Sequence, residues 1–327
     1  MKKFWGEIWI IILVVAITAC QNEPPEPPQP TFYHWQTRLA PDSLSRALLA
    51  EADADRLYVK AYDLIWENGR ATPTAILELG DTTGLPPLVP VIFITQEVIQ
   101  QQPVNKLPAL AKNMAALLQE ILGNDFPEVQ LDCDWTARTQ VPYFSLLQSL
   151  RELFPDKTIS CTIRLHQYRD RKTQGIPPVD RGVLMAYNVG ELAEWSTENS
   201  IIDTTLLKGY LRDQPPYPIP LDPAIAVYDW AVVFRNDALA YLINEPDLRE
   251  LRDTSRFAAL TSDSLRYVVK TSTYYEGIYL YRGDLIRREI APVELIDSQL
   301  KIIERHTEGY APERIFYYRL GSRQWGE

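Results

Sequence analysis

Histidine, cysteine, glycine and positive charge are all in short supply in this chain of 327 residues. Three His and three Cys are too few for a dedicated His/Cys metal cluster, and they exclude a disulfide scaffold. No metal and no cofactor is expected. With 33 Lys and Arg against 43 Asp and Glu, the formal net charge is -10. Such a chain lacks the basic surface that displaces counterions from nucleic acid, so no nucleic-acid partner is expected. Only 14 residues are Gly, which excludes a collagen-like repeat. Hydrophobic residues make up 46% and charged residues 23%. That balance belongs to a folded chain and excludes wholesale disorder.

The N-terminus carries the clearest local signal. Lys2 and Lys3 precede an apolar run from Ile8 to Ala19, which ends in Ile17-Thr18-Ala19-Cys20. A short positive region, about a dozen apolar residues and small residues before a cut describe a secretory signal peptide over residues 1–19. The run is shorter than the roughly 20 residues of a transmembrane helix. Ile17-Thr18-Ala19-Cys20 resembles the bacterial lipobox, which implies lipidation of Cys20 and a membrane partner reached through a lipid anchor. Gln21 is no obvious inner-membrane retention signal, so the expected location is the bacterial cell envelope, at the outer membrane. Pro24, Pro25, Pro27, Pro28 and Pro30 make residues 20–30 a stiff, extended tether.

Residues 31–327 show no second linker and no internal repeat. Short β-rich runs alternate with longer helical patterns, the signature of βαβ units around a parallel sheet. Strands are expected at residues 31–35, 56–62, 89–95, 129–135, 158–164, 183–187, 225–234 and 314–320, and helices at 41–52, 106–122, 142–154, 237–245 and 292–306. Eight such strands predict an α/β fold, a (β/α)8 TIM-like barrel. Residues 264–290 read instead as a small antiparallel β insertion before the last helix and strand. An open doubly wound sheet with an appended β region is the alternative.

In a barrel, chemistry sits at the C-terminal ends of the strands. The most informative strand is Glu128-Val129-Gln130-Leu131-Asp132-Cys133-Asp134-Trp135-Thr136. Period-two alternation puts Val129, Leu131, Cys133 and Trp135 on the face under the helices. Gln130, Asp132, Asp134 and Thr136 then point inward. Two inward carboxylates are costly unless paired, and their proximity pushes one pKa upward. They form either a catalytic or ligand-orienting pair, or a buried network in which Asp132 is satisfied by Lys60.

Asp132-Cys133-Asp134-Trp135 resembles the fourth-strand motif Asp-x-x-Asp-x-Asp-x-Glu of family 18 glycoside hydrolases, the chitinase-like barrels. Met185-Ala186-Tyr187-Asn188 resembles the Met-x-Tyr-Asp of the sixth strand in the same superfamily. The body as a whole resembles an uncharacterised family of bacterial secreted proteins with glycosidase-like barrels. The resemblance implies a glycan ligand, such as an N-acetylhexosamine polymer. It implies that Asp134 orients the acetamido group, that Tyr187 hydrogen-bonds to it, and that Asp132, Trp135 and Met185 belong to the site. The sequence departs from the motif at three places. Val129 stands at its first Asp, Asn188 follows Tyr187, and Thr136 occupies the position of the catalytic Glu. Losing a positioned acid removes roughly 10²–10⁴ in rate.

Glu97, at the end of the neighbouring strand, is the candidate to replace that acid beside Asp134. Asp63 and Asp229 are further strand-end carboxylates. Lys60 on an inward face needs a carboxylate partner. Arg164 and His166 follow the fifth strand and would line the mouth. The chain is rich in rings, with 18 Tyr and 8 Trp. Tyr33, His34, Trp35, Tyr62, Trp66, Trp135, Tyr187, Tyr228 and Trp230 crowd near strand ends, where flat rings can stack on sugar C–H faces. The expected substrate-binding set is Asp132, Lys60, Tyr62, Trp35, Trp135, Tyr187, Asn188, Arg164 and Trp230. Cys133 and Cys161 are expected as two buried thiols on adjacent strands. Two functions fit: an envelope lipoprotein that binds a glycan, its hydrolysis set against Thr136, or a non-catalytic envelope protein binding a protein partner or other ligand. The sequence leaves open whether the chain is an enzyme, and which oligomeric state it adopts.

Overall fold

A computed structural model describes residues 27–260, 262, 265–306 and 312–326. The leader 1–19, Cys20 and the tether up to residue 26 lie outside the described residues. No helix among the described residues is long and apolar enough to cross a membrane.

Eight parallel strands form the body: β1 Gln29–His34, β2 Leu57–Glu67, β3 Leu88–Ile94, β4 Glu128–Asp132, β5 Thr158–Arg164, β6 Arg181–Met185, β7 Leu221–Ala226 and β8 Arg314–Tyr318. Each pairs with its sequence neighbour, and β1 pairs with both β8 and β2, so the ring closes. The closed barrel excludes the open doubly wound sheet. Gln29 and Pro30, assigned to the tether from sequence, already belong to β1.

Alternation along the strands builds two apolar layers. Ile92, Leu131, Ile159 and Ile163 face outward against Met114, Leu146 and Leu150 of the surrounding helices. Tyr58, Val91, Val183 and Phe316 fill the interior. Full burial of one such aliphatic side chain contributes roughly 1.5–3 kcal/mol. The helix Leu107–Leu122 buries Leu107, Leu110, Ala111, Met114, Ala115 and Leu118, the i, i+3, i+4 spacing of one helical face. The helix Ser43–Glu51 starts where Asp42 accepts the Ser45 N–H at 2.8 Å, an N-cap that satisfies an otherwise free donor.

Between β2 and β3 a hairpin takes the place of a helix. β2 continues to Glu67, turns at Asn68-Gly69 and returns as Arg70–Thr74. Both turn residues have positive φ, 52° and 75°, the conformation a two-residue hairpin needs and Asn-Gly supplies most easily.

The region after β7 departs furthest from the sequence-based expectation. Residues 225–234, read as one strand, divide into the end of β7 and a separate strand Trp230–Arg235. Residues 237–245, read as a helix, form the strand Ala238–Asn244, antiparallel to Trp230–Arg235. Asn236 and Asp237 adopt φ of 51° and 60° and make the tight turn between them. Ala and Leu in this segment suit a helix by propensity, but the turn and the cross-strand pairing decide otherwise. The antiparallel sheet therefore extends from Trp230 to Glu289, well before residue 264. Its spatial order is 238–244, 230–235, 285–289, 266–269, 257–259. The helix Val293–His306 and β8 follow it, as expected.

Candidate functional site

The site is built on β4 and β5. These strands pair with Gln130 opposite Ser160 and Leu131 opposite Cys161. Inside the barrel, Gln130 accepts the Tyr33 hydroxyl at 2.6 Å and donates to Ser160 Oγ at 3.2 Å. One step higher, the Thr162 hydroxyl donates to Asp132 Oδ1 at 2.6 Å. Asp132 is only 6% exposed. Burial is the main reason its carboxyl is pushed up to about 6, with the charges of Asp134 and Asp63 adding to it. The Thr162 hydrogen bond and the Arg164 charge oppose the rise.

Above Asp132 and Thr162 lies a cavity of about 150 Å³, walled by Tyr33, Trp35, Phe93, Tyr187 and Tyr318. Tyr187 stacks on Tyr318 with centroids 5.4 Å apart, and Trp35 stands edge-on to Tyr318 at 5.7 Å. A second, polar recess of about 70 Å³ adjoins it and shares Met185, Tyr187 and Asn188 with it. Arg164, His166 and Tyr210 also line this recess. Asn188 sits in the left-handed region at φ 55° and accepts the Tyr228 hydroxyl.

Six expected site residues meet here. Asp132, Trp35, Tyr187 and Asn188 line the cavity, and Arg164 lines the recess. Asp134 is tied to them through Arg164, but its position differs from the expectation. β4 ends at Asp132, so Asp134 sits in the loop beyond it, 55% exposed, with Arg164 Nε 3.5 Å from its carboxylate.

Lys60 points inward as expected but pairs with Asp63, at 3.0 and 3.1 Å, rather than with Asp132. The cause is a bulge. Lys60 lies opposite Val91 and Tyr62 opposite Ile92, so Ala61 is the extra residue. A bulge shifts the alternation by one. Asp63 thereby joins Lys60, and Tyr62 turns into the helix layer, where its hydroxyl donates to the Met114 carbonyl at 3.2 Å. Tyr62 is thus not a mouth residue.

Trp135 and Trp230 are not mouth residues either. Trp135 is fully buried under the helices, stacked on Tyr143 at 5.3 Å, and its indole donates to the Gln174 carbonyl at 2.9 Å. The alternation placed it correctly on the outer face; the family-based assignment to the ligand did not hold. Trp230 begins the first insertion strand, and its indole donates to the buried Glu289 at 2.8 Å. Glu97 is exposed in the first turn of the helix Gln96–Gln101 and is not among the cavity residues. A carboxylate there complements the helix dipole.

Sequence reasoning missed Thr162, Phe93, Tyr318 and Gln167. Inward alternation on β5 and β8 was the available signal for Thr162 and Tyr318. Gln167 is fully buried; its amide donates to the Trp135 carbonyl at 2.8 Å and accepts the Arg164 N–H at 2.7 Å. It ties the loop after β4 to the end of β5 and had no sequence signal. Cys133 and Cys161 are both buried free thiols. Among the described residues no group of three or more His, Cys, Asp or Glu is placed to hold a metal ion.

Chemically, the mouth offers one carboxyl able to hold or release a proton near pH 6, at the base of a ring-walled hollow. The rings offer apolar faces, and the recess beside them offers a guanidinium.

No protein-family model and no curated protein matches the chain. Solved structures do. The spore cortex-lytic enzyme SleL of Bacillus cereus is 13% identical with a TM-score of 0.56, covering 91% of this chain and 72% of SleL. A chitinase from Chromobacterium violaceum is 12% identical with a TM-score of 0.51, covering 91% and 97%. A mutant of the Group II chitinase catalytic domain 2 of Ostrinia furnacalis, solved with (NAG)5, is 8% identical with a TM-score of 0.53, covering 90% of each chain. At these identities the likeness is one of fold alone: the chain shares an eight-stranded parallel barrel with SleL and these chitinases.

Proposed function

We propose that the barrel mouth binds a glycan of the N-acetylhexosamine type, without hydrolysing it, on a lipoprotein anchored to the bacterial envelope through Cys20. The observation that carries this reading is Asp132, hydrogen-bonded to Thr162 at the base of a hollow walled by Trp35, Tyr187 and Tyr318. Rings of this kind stack on sugar C–H faces while a buried carboxyl fixes orientation. The structural likeness to a chitinase solved with (NAG)5 supports the same ligand class. Binding rather than hydrolysis follows from Thr136. It stands at the position of the family's acid, its N–H donates to Thr139 Oγ1 at 2.8 Å, and a threonine hydroxyl cannot protonate a leaving group at neutral pH.

Titration calorimetry with N-acetylglucosamine oligosaccharides tests the reading. Tyr187→Phe is expected to weaken binding by about tenfold, the loss of one hydrogen bond, and Trp35→Ala by more. Equal affinity in wild type and both variants would place the ligand elsewhere. Release of reducing ends that Asp132→Asn abolishes would overturn the binding-only reading. Fatty-acid labelling in the native host, lost in Cys20→Ala, tests the anchor.

A further inference from the structure

We infer that the polar recess beside the mouth selects a carboxylate-bearing glycan, an N-acetylhexosamine chain in which one sugar carries an acidic substituent. The inference rests on the glycan reading of the mouth and adds the charge of its ligand. The recess, about 70 Å³, has room for roughly two waters at ~30 Å³ each, the space of one carboxylate. It opens on the ring-walled cavity through Met185, Tyr187 and Asn188, so a sugar held against the rings can place one substituent in it.

Arg164 is the group that would receive that substituent. Among the described residues its ion-pair partner is Asp134, whose carboxylate lies 3.5 Å from Nε. Two other arginines near the barrel ends are more tightly held. Arg169 grips Asp170 with two bonds of 2.9 Å, and Arg181 meets Asp222 at 2.7 Å. Asp134 is half exposed, and such solvent-screened pairs are weak. An incoming carboxylate can therefore displace Asp134 and engage the guanidinium fork with two parallel hydrogen bonds. His166 is the other basic group of the recess. Burial, followed by the Arg164 charge, lowers its pKa from 6.5, so Arg164 is the lasting cation there.

The test compares two probes by calorimetry at pH 7.5: a neutral N-acetylglucosamine tetramer and a tetramer of the same length with one lactyl-ether carboxylate. The wild type is expected to prefer the acidic probe by about tenfold, the effect of one charge-assisted bidentate contact. In Arg164→Gln the affinity ratio is expected to fall to near one. Arg164→Lys keeps the charge without the fork and should retain part of the preference, which separates recognition from misfolding. A wild type without preference, or a ratio that survives Arg164→Gln, overturns the inference while the glycan reading stands. Binding of neither probe overturns both.

Discussion

The two ends of the barrel bury carboxylates in opposite ways. At the N-terminal end each has an arginine. Glu128, fully buried, meets Arg56 at 3.0 Å. Asp222 meets Arg181 at 2.7 Å and accepts the backbone N–H groups of Glu313 and Arg314 at 2.9 and 3.1 Å. The buried Arg314 is in turn held by the exposed Asp55 at 2.7 Å. At the C-terminal end, the hydrogen-bond partner of Asp132 is a neutral hydroxyl. Burial raises the carboxyls of both Asp222 and Asp132, but at Asp222 an adjacent guanidinium opposes it directly. One end is electrostatically closed. The other holds a carboxyl whose burial is opposed by a neutral hydroxyl and by the Arg164 charge rather than by a bonded guanidinium, a perturbed group of the kind that marks candidate sites.

The comparison breaks most sharply at Arg181. Arg181→Met leaves Asp222 buried beside an apolar chain, and removing one partner of a buried pair costs about 3–5 kcal/mol. Urea unfolding at pH 7.5 measures it; a loss no larger than that of an exposed arginine would mean the lower end is not held by pairing.

Asp132→Asn should have the opposite sign. The folded carboxyl titrates near 6, above its ordinary 3.8. The native state therefore binds the proton more tightly, and the stability linked to it is complete below about pH 4 and lost as pH rises through 6. Asp132→Asn should gain on the order of 2 kcal/mol above pH 7 and nothing below pH 4. Denaturant midpoints at both pH values check this, and a gain independent of pH would contradict it.

Thr162→Val sharpens the same contrast on a smaller scale. Removing the donor should cost about 1–2 kcal/mol at neutral pH. It should also move the Asp132 titration upward from about 6, observable by carboxyl NMR. An unmoved titration would show that Thr162 does not stabilise the charged form.

Much of the barrel was legible. Residues 158–164 form a strand with those limits, and seven of the eight barrel strands were found within a few residues. Their β-branched and aromatic runs are long and clearly bounded. The region from Trp230 to Asn244 was not legible, because a hairpin turn at Asn236-Asp237 outweighed the helical propensity of the residues after it. Asp132 was expected to point inward from alternation, Tyr187 and Asn188 came from the sixth-strand motif, and Trp35 and Arg164 from nearness to strand ends; all five line the cavity or the recess. Tyr62, Trp135, Trp230 and Glu97 were assigned by nearness to strand ends or by resemblance, and their own packing or exposure places them elsewhere.

The sequence by itself determined the β/α alternation, the order of the strands and the inward aim of Asp132. These follow from side-chain periods of 2 and 3.6, which each segment carries within itself. Only the tertiary structure decided that a bulge at Ala61 would give Lys60 to Asp63, that Thr162 would be the partner of Asp132, and that Arg164 would meet a half-exposed Asp134 beside an open recess. Those pairings depend on register between strands distant in the chain, and register is fixed by the packing of the whole barrel rather than by any one strand.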